Sequence, residues 1–108
     1  KVGRSLHRIP NTTFISYINK EKEQWEVTMF NPKNGKRKKI IETVGKKEDV
    51  CWLPDGILLI AVGNKIMKFN PATDKKWSIF YTFPKNKHKN ISRILANSKG
   101  TQLVLVSD

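Results

Sequence analysis

Hydrophobic residues fall in short runs along this chain, and none of the runs carries a helical period. The run ILLIAV, Ile57 to Val62, is apolar at every position and is bounded by Pro-Asp-Gly and Gly-Asn. Six residues suit a strand better than a helix, and a strand apolar on both sides must be covered on both sides. LVLV, Leu103 to Val106, reads the same way, and FISYI, Phe14 to Ile18, is rich in aromatic and β-branched residues. Gly63-Asn64 separates Ile57–Val62 from Lys65–Phe69, the pattern of a tight hairpin in which both turn residues tolerate positive φ. Two further turns, Asn31-Pro32 in FNPKNGK and Asn70-Pro71 in FNPATDK, lead into the strands Arg37–Thr43 and Trp77–Phe83. In each turn Asn opens, Pro fixes φ, and Gly or Asp tolerates the left-handed position. The pattern predicts an all-β chain of short antiparallel strands.

The strands repeat. LHRIPNTTFISYI from Leu6, VCWLPDGILLIAV from Val50 and ILANSKGTQLVLV from Ile94 align so that Pro10, Pro54 and Ser98 recur every 44 residues. The two Asn-Pro turns lie 39 residues apart. The missing five are the longer first-copy loop Asn19–Gln24, which stands where the second copy has Gly63-Asn64. In the second copy the strands are expected at Asp49–Leu53, Ile57–Val62, Lys65–Phe69 and Lys76–Phe83. Four strands in a period of roughly 40–45 residues mark a β-propeller blade. Each blade packs both faces on its neighbours, which accounts for central strands without polar alternation. The expectation is a partial β-propeller of about two and a half four-stranded antiparallel blades. Residues 1–45 form the first, 46–89 the second, and 90–108 the first two strands of a third, all in one propeller domain.

The stretch CWLPDGILLIAVG resembles the Trp-Ser-Pro-Asp-Gly turn and apolar strand of TolB-like (WD40-like) propeller repeats. Trp52, Pro54, Asp55 and Gly56 match, with Leu53 in place of Ser. The third copy keeps Gly100, with Ser98 and Lys99 for Pro and Asp; the first keeps Pro10, with Asn11 and Thr12 in the Asp-Gly places. The resemblance implies a propeller of six or seven blades of which this chain is a C-terminal part, with the remaining blades as its nearest partners. It also implies an exported, periplasmic or secreted protein that binds macromolecules, and a last blade completed by strands from upstream.

Charge and chemistry change this picture little. The net charge of +12 suggests polyanions, but residues 1–49 and 50–108 each carry +6. So even a spread argues against a dedicated nucleic-acid footprint, which is usually clustered. The run KNGKRKK, Lys33 to Lys39, reads as a turn into an edge strand guarded by lysine. There is one cysteine, Cys51, expected as a small buried residue of an inner strand. His7 and His88 do not make a metal set, because the repeat positions equivalent to His7 are Cys51 and Leu95. No nucleophile elbow, phosphate loop or dinucleotide motif occurs. No metal and no cofactor is expected, and no run of about 18 apolar residues spans a membrane.

Propellers carry function in loops at one end of the channel. The candidate mouth is Arg4, His7, Glu48, Asp49, His88, Asn90, Ser92 and Arg93, and Trp25, beside the charged loop, is a candidate partner surface. Pro10, Trp52, Pro54, Asp55, Gly56, Gly100, Asn31, Pro32, Asn70 and Pro71 are assigned to repeat turns, and Trp52 and Trp77 are expected to pack between blades. The reading is a non-enzymatic module for protein or macromolecule binding. Its rivals are the propeller domain of a larger enzyme, such as a prolyl-oligopeptidase-type peptidase, and a basic nucleic-acid binder.

Overall fold

The computed structural model describes residues 6–45, 47, 49–84, 91–96 and 103–107; in the last two segments it describes the backbone and, of the side chains, Ile94. Among these residues there is no helix, so no helix is long and apolar enough to cross a membrane. The described residues form ten strands in three antiparallel sheets. The first sheet runs β1 (His7–Arg8), β2 (Ile15–Asn19), β3 (Glu26–Phe30) and β4 (Arg37–Glu42), in chain order. The second runs β5 (Val50–Trp52), β6 (Leu58–Val62), β7 (Lys65–Phe69) and β8 (Ser78–Thr82), also in chain order. The third pairs β9 (Ile91–Ala96) with β10 (Leu103–Ser107). The expected strands are present, trimmed by a residue or two at most ends.

The second sheet lies between the other two, and successive residues of its strands enter opposite cores, as the strand period of two requires. Val50, Leu58 and Ile60 join Ile18 and Val27 of the first sheet in one buried cluster, with Trp52, Val62, Met67 and Trp77 packed around it. Cys51, Leu59, Ala61 and Ile66 join Ile94 of the third sheet in the other. This two-sided burial explains why ILLIAV has no polar position. Among the described residues the outer strand β8 is paired on its inner edge alone, and Ile79, Phe80 and Tyr81 are largely exposed.

The repeat extends to its irregularities. Register shifts between Val27 and Thr28, where Ile41 and Lys39 are the partners on β4, leaving Ile40 as a bulge. It shifts between Ile66 and Met67 in the same way, leaving Phe80 as a bulge on β8. The twin Asn-Pro turns are one turn used twice. Lys33 N donates to Asn31 Oδ1 and Ala72 N to Asn70 Oδ1, both at 3.0 Å. Gly35 N and Asp74 N donate to the Asn31 and Asn70 carbonyls, both at 2.8 Å.

Three turn expectations need correction. Gly35 is left-handed at φ 72°, but Asp74 is not; its carboxylate instead accepts from Asn70 N at 3.0 Å. In the Gly63-Asn64 hairpin only Gly63 has positive φ, the pattern of a two-residue type II′ turn with glycine at its first central position; Asn64 Nδ2 donates to the Phe83 carbonyl. In the first repeat the left-handed residue is Asn11, whereas in the second it is Gly56. The first turn carries one more residue before its strand: Ile9 N donates to Phe14 O, where Leu53 N reaches Ile57 O.

Candidate functional site

The inner strands bring together part of the candidate mouth. His7 pairs with Ser16 in the β1–β2 ladder, so both face the second sheet. Asp49 enters β5 from that sheet, and its charge is felt at His7. Burial of the half-exposed imidazole is the larger influence and lowers its pKa below the usual 6.5; the Asp49 carboxylate acts in the opposite sense. Ser92 and Arg93 lie on β9, whose backbone is described without their side chains. Arg4, Glu48, His88, Asn90 and Gly100 lie outside the described residues. Among the described residues, no three His, Cys, Asp or Glu side chains are grouped to hold a metal.

The lowered His7 pKa fixes the sign of a pH dependence. Below about pH 6.5 the unfolded chain takes up a proton at His7 before the folded protein does. The stability contributed by neutral His7 is therefore present above that pH and is lost as pH falls through the lowered native value. Thermal melts between pH 7.5 and 5 are expected to show a steeper acid loss for the natural protein than for His7→Gln. Equal slopes for the two would contradict this assignment.

Cys51 is buried, and desolvation pushes its thiol up to about 11. At neutral pH it is protonated and inert, a packing residue. Trp25 is half-buried against the core between the first two sheets. Lys20 Nζ lies 4.6 Å from the centre of its ring, and its carbonyl accepts from Thr43 N at 2.9 Å.

A second concavity was not singled out from sequence. The Pro10–Phe14, Asp55–Gly56 and Asn70–Ala72 turns converge at one rim of the first two sheets and enclose a groove of about 390 Å³. Its floor includes Met29, Ile40, Trp52 and Phe69, and Lys38 and Lys39 stand at its side. Of its lining, Pro10, Trp52, Asp55, Gly56, Asn70 and Pro71 are residues assigned above to repeat turns. The available signal was topological: in an up-and-down four-stranded sheet, the first and third turns share one end.

Adjacent sheets are joined by side-chain donors. Trp52 Nε1–H donates to Ser16 Oγ at 2.8 Å, and Trp77 Nε1–H donates to the Glu42 carbonyl at 2.8 Å. Asn11 Nδ2 reaches the Pro54 carbonyl at 3.3 Å. Both tryptophans thus pack between the sheets, as their repeat positions suggested. Pro10, Pro54, Asp55, Asn31, Pro32, Asn70 and Pro71 all lie in or beside the turns assigned to them.

Among curated proteins, the chain is similar to the periodic tryptophan protein 2 homolog of Schizosaccharomyces pombe, with 33% identity over 70 residues. The matched stretch takes in 64% of this chain and 8% of that relative's length. No protein-family model matches the chain, and no solved structure matches it significantly. The likeness and the pair of four-stranded antiparallel sheets fit a WD40-like repeat.

Proposed function

We propose that this chain is part of a WD40-like β-propeller that serves as a non-catalytic surface for protein partners. The observation that carries the reading is the second sheet, which buries both faces in separate cores between like neighbours. Such a sheet is a unit of a stacked array and leaves its end loops and rims for recognition. The rim groove between the first two sheets, apolar with lysines beside it, suits an apolar side chain flanked by carboxylates. The Trp52-Leu53-Pro54-Asp55-Gly56 turn supports a TolB-like variety of the repeat, and with it an exported protein; the yeast relative supports the broader WD40-like type.

Crosslinking mass spectrometry on the native protein, in extract of its own cells with and without nuclease treatment, tests this. Lysines beside the groove, Lys38 and Lys39, are expected to crosslink to other proteins. Crosslinks confined to the protein's own residues would overturn the reading, and loss of partner crosslinks on nuclease treatment would favour the nucleic-acid rival.

A further inference from the structure

β4 and β8 are the same strand of successive repeats, and among the described residues each has an unpaired outer edge. The two edges are finished differently. The register makes Lys38, Lys39 and Glu42 of β4 the counterparts of Ser78, Ile79 and Thr82 of β8. The first edge is thus guarded by charge, with Lys39 Nζ 3.8 Å from both Glu26 and Glu42. The second has no charge, Pro or Gly from Trp77 to Phe83. The bulges do not distinguish the two, since Ile40 and Phe80 hold the same place.

Large hydrophobic side chains also meet solvent on β8: Ile79, Phe80 and Tyr81 are 55%, 44% and 52% exposed. An uncharged strand of this composition, left open, is a template for another strand. The neighbouring sheets do not fill that role, because they pack on the two faces of β5–β8 and not along the edge of β8. The ends of the open edge are basic. Lys75 and Lys76, both exposed, precede β8, and exposed Lys65 stands opposite Thr82 at its other end. The acid before them, Asp74, is engaged by the Asn70 amide.

We propose that the outer edge of β8 takes an extended segment of another protein as an added strand, one with an apolar, β-branched core and acidic residues at both ends. Backbone hydrogen bonds to the open edge supply the affinity, and Ile79, Phe80 and Tyr81 supply apolar contact. The lysines at the two ends select the acidic flanks. A second copy of this chain does not meet that requirement. Two β8 strands side by side bring lysines to lysines in either direction, and each copy carries a net charge of +12. No residue of Ser78–Thr82 lines the rim groove, so this is a second surface, distinct from the one proposed above.

Binding of a labelled synthetic peptide to the whole native protein, read by fluorescence anisotropy, tests the proposal. The peptide has a Val-Thr-Ile-Thr-Val core between two pairs of glutamates. Saturable binding is expected. Exchanging the glutamates for lysines is expected to weaken it about tenfold, and N-methylation of the core amides by about tenfold or more, since several backbone hydrogen bonds are lost. Ile79→Lys gives β8 the lysine that β4 has; it is expected to weaken binding about tenfold and to leave the unfolding midpoint unchanged. Absence of binding overturns the proposal, as does equal binding of the lysine-flanked or the N-methylated peptide. Binding that Ile79→Lys does not change places the peptide elsewhere and overturns it too. Should that variant fail to fold, the peptide comparisons on the natural protein still decide. Dimers seen in sedimentation and lost in Ile79→Lys assign the edge to a second copy and likewise overturn the proposal. The crosslinks expected at Lys38 and Lys39 test the groove independently of all these results.

Discussion

Replacing Trp52 with alanine is expected to lower stability by about 3 kcal/mol, near the lower end for loss of a large aromatic residue from a core because the ring is half-buried. Two effects combine. The ring packs against the cluster of Ile18, Val27, Val50, Leu58 and Ile60. Its Nε1–H is the donor to Ser16 Oγ, and Ser16 is fully buried. Trp52→Phe separates the two: most of the packing remains, and about 1 kcal/mol is lost with the hydrogen bond. Urea unfolding of both variants measures the split. A phenylalanine variant as stable as the natural protein would show that the contact from sheet to sheet contributes packing only.

The neighbouring pair Leu59 and Ile60 carries the other large effect. Both are fully buried and adjacent in the chain, yet they belong to different cores. Alanine at either position is expected to cost about 3–4 kcal/mol, a large part of the stability of a small domain. The separation of the cores is the more discriminating test. Ile60→Ala combined with Ile18→Ala acts on one cluster and is expected to be non-additive by about 0.5 kcal/mol or more. Ile60→Ala combined with Ile94→Ala acts on two clusters and is expected to add within about 0.5 kcal/mol. Should both pairs behave alike, the second sheet does not divide two independent cores.

Much of the fold was legible because its determinants are local. An asparagine side chain that caps the amide two residues on needs only the Asn-Pro segment itself, so the twin turns at Asn31 and Asn70 could be recognised as one device. The fully apolar Ile57–Val62 announced a strand covered on both faces, and the 44-residue spacing of Pro10 and Pro54 announced the unit. Smaller details escaped for equally physical reasons. Asp74 sits where Gly35 is left-handed, but its carboxylate offers another way to close the turn. At Gly63-Asn64 a two-residue hairpin needs positive φ at its first position alone, so Asn64 is not left-handed.

The candidate sites were less legible. His7 and Asp49 are distant in sequence, and the Asp49 charge acts on His7 only because an inner strand of one sheet faces the entry to the next. The rim groove was hidden because the residues that form its mouth, Pro10, Asp55, Gly56, Asn70 and Pro71, read as turn formers, which they also are.

The sequence by itself determined the strand content, the four-stranded unit, its turns and the two-faced burial of β6, since these depend on residue type and on neighbours a few positions away. Only the tertiary structure decided that Trp52 meets Ser16 and that Trp77 meets the Glu42 carbonyl. Those bonds close over 35 and 36 residues. Their geometry follows from how one sheet is rotated and shifted on the next, a quantity set by the packing of all the side chains between them.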